Sequence, residues 1–135
     1  MDLLIAVVIP TYNHAHFIGR AIQSVLDQTY TNWEILVVDN HSTDNTEEVI
    51  KSLNDGRIQL LKIHNSGVIG MSRNMGILKA KGDWIFLIDA DDYFISDIGI
   101  ILKKIKNKSL DIKSFYTFGY SKSENNKKKV NRIAL

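Results

Sequence analysis

Gly82-Asp83-Trp84-Ile85-Phe86-Leu87-Ile88-Asp89-Ala90-Asp91-Asp92 joins five consecutive apolar residues to three acids within four positions. The run Trp84 to Ile88 reads as a strand buried on both faces, so the acids fall at its C-terminal end, where open α/β sheets place their ligands. If the chain stays extended there, Asp89 and Asp91 point to the same side, because side chains alternate along a strand. Two like charges about 4 Å apart cost on the order of 4 kcal/mol at an effective dielectric near 20, which calls for a compensating cation. Two carboxylates leave most of an octahedral Mg²⁺ or Mn²⁺ shell open to water and phosphate oxygens. The competing reading is a solvated acidic turn, with Asp92 or Ser96 capping the next helix. The triplet by itself leaves both readings standing.

Outward from this segment, strand and helix patterns alternate. Leu4 to Ile9, bounded by Pro10, reads as a buried first strand. A helix follows, with Asn13 as its cap and Phe17, Ile18, Ala21, Ile22, Val25 and Leu26 as one apolar stripe. Glu34 to Val38 is a second strand. Asp44 and Glu47 suggest a capping box for a helix that buries Val49, Ile50 and Leu53. Ile58 to Ile63 is a third strand, and the next helix carries Met71, Met75, Ile77 and Leu78 and is closed by Gly82. A helix over Asp97 to Lys106 and a last strand over Ser114 to Tyr120 complete the pattern. Such alternation predicts parallel βαβ units, hence an α/β, Rossmann-like sheet with helices on both faces. The polar segments Thr11-Tyr12-Asn13, Asp39-Asn40, Asn65 to Arg73 and Asp89 to Asp92 each follow a strand, the edge where a nucleotide binds across an open sheet.

Four blocks carry a family resemblance. They are Val8-Ile9-Pro10-Thr11-Tyr12-Asn13, Trp33 to Asp44 (Trp-Glu-Ile-Leu-Val-Val-Asp-Asn-His-Ser-Thr-Asp), Asn65 to Gly76 (Asn-Ser-Gly-Val-Ile-Gly-Met-Ser-Arg-Asn-Met-Gly), and Gly82 to Asp92. In order and spacing they resemble the family 2 glycosyltransferases of the GT-A fold. The resemblance implies a nucleotide-sugar donor site and a divalent metal, Mn²⁺ or Mg²⁺. Thr11 and Tyr12 match positions lining the nucleoside pocket, where Tyr12 can stack on a base, a contact worth ~1–3 kcal/mol in single-strand binders; its plainer role is a core ring with a wet hydroxyl. Asp39 and Asn40 match a pair that is more often two aspartates, the second accepting the base N–H. Asn40 can accept one hydrogen bond from uracil or thymine but suits guanine's paired donors less well, which tilts the donor to UDP or dTDP. Its plainer role is that of a turn residue. Arg73 matches a position near the donor diphosphate, or is a surface helix arginine. Asp91 and Asp89 match the metal motif, with Asp91 as the direct ligand and Asp89 serving the ribose or the metal's surroundings. Gly67, Gly70 and Gly76 are read as structural. His14, His16, His41 and His64 are read as surface or cap residues.

In the family this donor half is followed by an acceptor half carrying the catalytic base. Past Asp97 the acids are only Asp111 and Glu124, neither in a recognisable base motif, so no residue is assigned to deprotonate an acceptor hydroxyl. The expected function is therefore metal-dependent donor binding for an inverting glycosyl transfer. A non-catalytic module of the same fold that assembles with another chain is the alternative. A dehydrogenase is disfavoured, since no Gly-x-Gly-x-x-Gly follows the first strand.

The chain's 135 residues suit one domain burying roughly two-thirds of its unfolded surface. Without cysteine there is no disulfide framework, thiolate metal site or cysteine nucleophile. The apolar run Leu3 to Ile9 is too short for a signal peptide and Asp2 has the wrong charge, so a cytoplasmic location is expected. Residues 1–101 hold 7 basic and 13 acidic side chains, net −6, and residues 102–135 hold 10 and 2, net +8. This divides the expected organisation into a donor-binding domain over 1–120 and a basic, flexible tail over 121–135. The tail suits peripheral contact with an anionic membrane rather than a nucleic-acid partner. An apolar flank where the acceptor half would pack suits self-association.

Overall fold

The computed structural model describes residues 2–99, helical positions 102, 103 and 107, and the backbone of 121–124 and 127–130. By packing the chain divides into two units, 1–101 and 102–135. The first unit runs β1 (Ile5–Thr11), α1 (Ala15–Leu26), β2 (Trp33–Asp39), α2 (Thr46–Ser52), β3 (Ile58–Lys62), α3 (Ile69–Lys79) and β4 (Trp84–Leu87). In the second, β5 (Ser121–Glu124) pairs antiparallel with β6 (Lys127–Val130). These two strands lie in the basic segment for which the sequence suggests no regular structure. The expected strand over Ser114 to Tyr120 lies outside the described residues.

The four strands of the first unit form one parallel sheet in the order β3-β2-β1-β4. All seven residues of β1 and all seven of β2 are buried. Their β-branched runs suit a strand covered on both sides. One face of this pair, Ala6, Val8, Leu36 and Val38, packs with Met75 and Ala80 from α3 and its end. Side-chain alternation turns Ile5, Val7, Ile9, Ile35 and Val37 to the other face. α1 and α2 pack together, with Ile18, Ala21, Ile22 and Val25 as the buried stripe of α1. Each fully buried aliphatic side chain contributes ~1.5–3 kcal/mol over its exposed form, so this core dominates the stability of the unit.

Several expectations are corrected in detail. β1 does not stop before Pro10 but continues to Thr11, in register with Asp39. Even-numbered residues of β1 face β4, as the bond from Ile88 N–H to the Val8 carbonyl shows, and β4 pairs only as far as Leu87 opposite Val8. The missing N–H of Pro10 thus points past the end of β4, where no ladder bond is lost. β4 itself is buried on one face only: Phe86 is covered, whereas Ile85 and Leu87 are 37% and 43% exposed. It is the edge strand opposite β3, without a layer over its second face among the described residues. In α3, Ser72 and Gly76 are buried and Met75 packs beside them on the core, whereas Met71, Ile77 and Leu78 are exposed, Leu78 at 84%. A Cβ on Gly76 would lie 2.2 Å from Val8 Cγ1, so a small residue is what lets the helix approach the sheet.

At the helix starts, Asp44 Oδ1 accepts the N–H of Thr46, the first residue of α2, at 3.0 Å, as expected of a cap there. Asn13, at φ 52°, does not cap its own helix; its Oδ1 accepts the N–H groups of Thr43 (2.7 Å) and Asp44 (3.3 Å). Asp44 Oδ2 accepts the Ala15 N–H at 3.1 Å in return. The capping box is absent, because Glu47 pairs with Lys51 and Lys62, each at 2.6 Å. Asp97, rather than Asp92 or Ser96, accepts the N–H of helical Gly99 at 2.8 Å.

Candidate functional site

β1, β2 and β3 progress in one direction across the sheet, and β4 lies on the other side of β1. The topology therefore reverses between β1 and β4, and the crevice at their C-terminal ends is where an open α/β sheet admits a ligand. The short β4 opens that crevice beside Pro10 and Thr11. Backbone conformation marks the same edge. Non-glycine residues with positive φ occur at Asn13 after β1, His41 after β2 and Ser66 after β3, with Asn54 elsewhere. Such conformations are costly for residues with a Cβ and gather where surrounding structure fixes a loop for a task.

Thr11 ends β1 in a buried position, and its Oγ1 has no hydrogen-bond partner. Tyr12 follows and is 51% exposed, so it is a surface ring at the crevice and not a core one. Asp39 is fully buried at the end of β2. Its Oδ1 accepts the Ser42 N–H (3.0 Å) and hydroxyl (2.5 Å), and its Oδ2 meets Lys62 Nζ at 2.6 Å. Those bonds to Asp39, then Glu47, raise the Lys62 ammonium above its ordinary range. Asp39 thus organises the loop after β2 from inside. Asn40 donates its N–H to the Thr11 carbonyl (3.0 Å), and its Oδ1 accepts the Asn65 N–H (2.9 Å). The second lone pair of that oxygen is left for another donor. Asn40 therefore ties together the loops after β1, β2 and β3. His41 and His64 stack with ring centroids 3.8 Å apart across the ends of β2 and β3.

Asn65 carries no assigned role in the sequence reading, yet it is buried and holds the entry to α3. Its Oδ1 accepts the Gly67 N–H and its Nδ2 donates to Ser72 Oγ, both at 2.9 Å. Asparagine just before a Ser-Gly step after a strand is the sequence signal for such a turn. Gly67 takes φ 79°, which explains its glycine; Gly70 has open space around it and no such φ.

On the opposite flank the acidic segment is a turn, not an extension of β4. The Asp92 N–H bonds the Asp89 carbonyl at 3.0 Å with Ala90 buried beneath, so strand alternation does not set the directions of Asp89 and Asp91. Arg73 of α3 pairs with Asp89 at 2.6 Å, bringing two of the expected site residues together. Asp91 is exposed, and its carbonyl receives a weak 3.4 Å bond from Arg20, which also lies 4.3 Å over the Tyr93 ring. Partial desolvation, then the charges of Asp91 and Asp89, push the Asp92 carboxyl above its usual range. The turn thus holds more negative charge than Arg73 offsets. Among the described residues no three acidic or histidine side chains converge to hold a metal unaided, and no helix is long and apolar enough to cross a membrane.

Comparison with known proteins places this arrangement. Residues 6–134 match the family described as Glycosyl transferase family 2. Glycosyltransferase GlyG of Streptococcus pneumoniae is 34% identical over 129 residues, covering 93% of this chain and 43% of that protein. The Escherichia coli UDP-Glc:alpha-D-GlcNAc-diphosphoundecaprenol beta-1,3-glucosyltransferase WfgD is 40% identical over 96 residues, covering 71% of this chain and 38% of its own length. The chain therefore spans less than half the length of these relatives. Among solved structures, S. aureus TarS 1–349 in complex with UDP aligns over 78% of this chain and 32% of that one, at TM-score 0.71 and 26% identity. A Pyrobaculum calidifontis mannosyltransferase in complex with GDP-Man and Mn²⁺ shares the fold at TM-score 0.66 and 23% identity, over 74% of this chain and 31% of that one. The parallel α/β unit is of the GT-A type, and the chain belongs to glycosyltransferase family 2.

Proposed function

We propose that this chain is the donor-binding part of a metal-dependent, inverting glycosyltransferase that uses a UDP- or dTDP-sugar. The observation that carries the reading is the convergence of four strand-end segments on the β1/β4 crevice. One flank there is closed by internal hydrogen bonds and the other is left with excess negative charge. Tyr12 offers an exposed ring to a base, and beside the buried Thr11 the free lone pair of Asn40 offers a polar contact to a nucleoside. Asn40 commits one carbonyl lone pair to Asn65, leaving one acceptor for a single imide N–H, which favours uracil or thymine over guanine.

The chemistry of the acidic turn fits a hard cation. Its donors are carboxylate oxygens, and desolvation, then the neighbouring charges of Asp91 and Asp89, push the Asp92 carboxyl up; a cation would relieve the second of these. Asp91, with Asp89 beside it, would hold Mn²⁺ or Mg²⁺. When bound, such an ion neutralises charge on a departing diphosphate. Arg73, already at the turn through Asp89, brings a guanidinium to the same phosphates. Titration of UDP into the 135-residue chain by calorimetry, with and without Mn²⁺, tests the reading. Binding that strengthens with Mn²⁺ is expected, and weaker binding of GDP in parallel. Indifference to Mn²⁺ would remove the metal from the proposal, and absence of UDP binding would remove the donor site.

A further inference from the structure

The chain from Asp91 to Ile98 follows the acidic turn without regular structure, yet α1 addresses it with a row of polar side chains. Arg20 and Ser24 are four residues apart on α1, and Gln28, four further on, continues the row where the Gln28 N–H bonds the Val25 carbonyl at 3.1 Å. Each reaches the backbone of the segment. Arg20 donates to the Asp91 carbonyl and covers the Tyr93 ring. Ser24 Oγ accepts the Phe94 N–H at 3.0 Å and donates to the Ala21 carbonyl at 2.7 Å. Gln28 uses its whole amide: Nε2 donates to the Ser24 (2.9 Å) and Ser96 (3.3 Å) carbonyls, and Oε1 accepts the Ile98 N–H at 2.7 Å. Thr29 adds a bond to Asp97.

An open groove lined by Arg20, Ser24, Gln28, Tyr93 and Ile95 separates the helix from much of this segment. Apolar packing comes from Phe94, whose ring meets Phe86 edge-on at 6.4 Å, and from Ile98, buried at the end of the segment, while Tyr93 and Ile95 are exposed. Between the buried Ala90 and Ile98, directional bonds from α1 therefore set where the segment runs, and with it the C-terminal half of the acidic turn. We propose that Arg20, Ser24 and Gln28 are positioning residues for the Asp89–Asp92 turn, fixing the direction in which its carboxylates meet a bound cation and diphosphate. This rests on the donor-site reading above and assigns those three residues no contact with the ligand. Groups that orient metal-binding side chains typically change metal affinity or activity by roughly 10–100-fold when removed, because the ligands must be reorganised at each binding event.

The test compares UDP affinity with and without Mn²⁺ for the parent chain, Gln28→Ala, Ser24→Ala and Arg57→Ala. Arg57 pairs with Asp55 and bonds the Thr31 carbonyl, at the opposite end of the strands, so it serves as a control for general loss of stability. The expected result is a Mn²⁺-dependent gain in affinity roughly tenfold smaller in Gln28→Ala and lowered also in Ser24→Ala. Metal-free UDP binding should be retained in both, and Arg57→Ala should match the parent. All measurements are made well below the melting temperature of each variant, so unfolding does not enter. If the parent gains from Mn²⁺ and Gln28→Ala gains as much, or loses no more than Arg57→Ala, the positioning role is overturned and the donor site stands. If the parent gains nothing from Mn²⁺, the metal reading and this inference fall together.

Discussion

The two flanks of the crevice are built on opposite principles. On the β2 and β3 side, charged and polar groups are spent on one another: Asp39 on Ser42 and Lys62, Asn40 on Asn65, Asn65 on Gly67 and Ser72. On the β4 side, three carboxylates share a single turn, and among the described residues Asp89 is the one whose carboxylate pairs with an arginine. The first flank is held largely by its own bonds and confers shape. The second has surplus negative charge, which the proposed cation would offset. Substitutions on the first flank should therefore appear as lost stability, and those on the second as lost binding.

The largest effect is expected at Asp39. Asp39→Ala removes the acceptor of two Ser42 bonds and leaves Lys62 with Glu47 alone. The unpaired groups should cost about 3 kcal/mol, tempered by the access of Lys62 to solvent. Urea unfolding measures it, and a loss below about 1 kcal/mol would place Asp39 among ordinary surface acids. Next is Gly76→Ala. The added Cβ would press on Val8 from α3, and overpacking should cost about 2 kcal/mol in the same unfolding series. A neutral result would mean that the helix can shift outward freely, and that its closeness to the sheet does not hold Arg73 in place.

Asp91→Ala sharpens the contrast from the other flank. It removes one of three like charges, so the unliganded variant should melt at or above the parent. Its Mn²⁺-dependent UDP affinity should fall roughly tenfold or more. A variant that melts lower and binds equally well would reverse the comparison and return the turn to a structural role.

How much of this is legible in the sequence depends on the kind of signal each part carries. β1 and β2 are read directly because a run of β-branched residues has few other uses, and the parallel sheet follows from the alternation. The positions after the strands are equally visible, and Thr11, Asn40, Arg73 and Asp89 do sit at one edge. Burial of β4 is misread because an apolar run reports composition and not how many faces a neighbour covers. The inner face of α3 is hidden for the converse reason: beside Met75 it is made of Ser72 and Gly76, small residues that a search for apolar stripes passes over. The bonds that Asn13 and Asp44 accept from each other's loops, and the bonds made by Arg20, Ser24 and Gln28, join residues some 30 to 70 positions apart. Local patterns cannot hold such pairings, although the i, i+4 spacing of the three α1-side residues is visible once the helix is known.

The smallest expected effect concerns two acids in surface ion pairs, Glu47 beside the first flank and Asp55 at the opposite end of the strands. Lys51, then Lys62, hold the Glu47 carboxyl down at about 2 from its ordinary 4.5. Arg57 holds Asp55 down at about 2 from 3.8. For an acid whose folded pKa is depressed, the stabilising charge is complete above the unfolded value and lost as pH falls through the folded one. Stability should therefore decline from about pH 4.5 toward pH 2. Both ion pairs are at the surface, where solvent and salt screen them, so the slope should be shallow and flatten further in high salt. Glu47→Gln should remove part of the decline, since Lys62 then keeps only the buried Asp39 as partner. Denaturant midpoints across that pH range, with and without added salt, provide the measurement. An acid limb unchanged by Glu47→Gln would show that Glu47 contributes nothing to it, leaving the β2–β3 flank to the internal bonds of Asp39, Asn40 and Asn65.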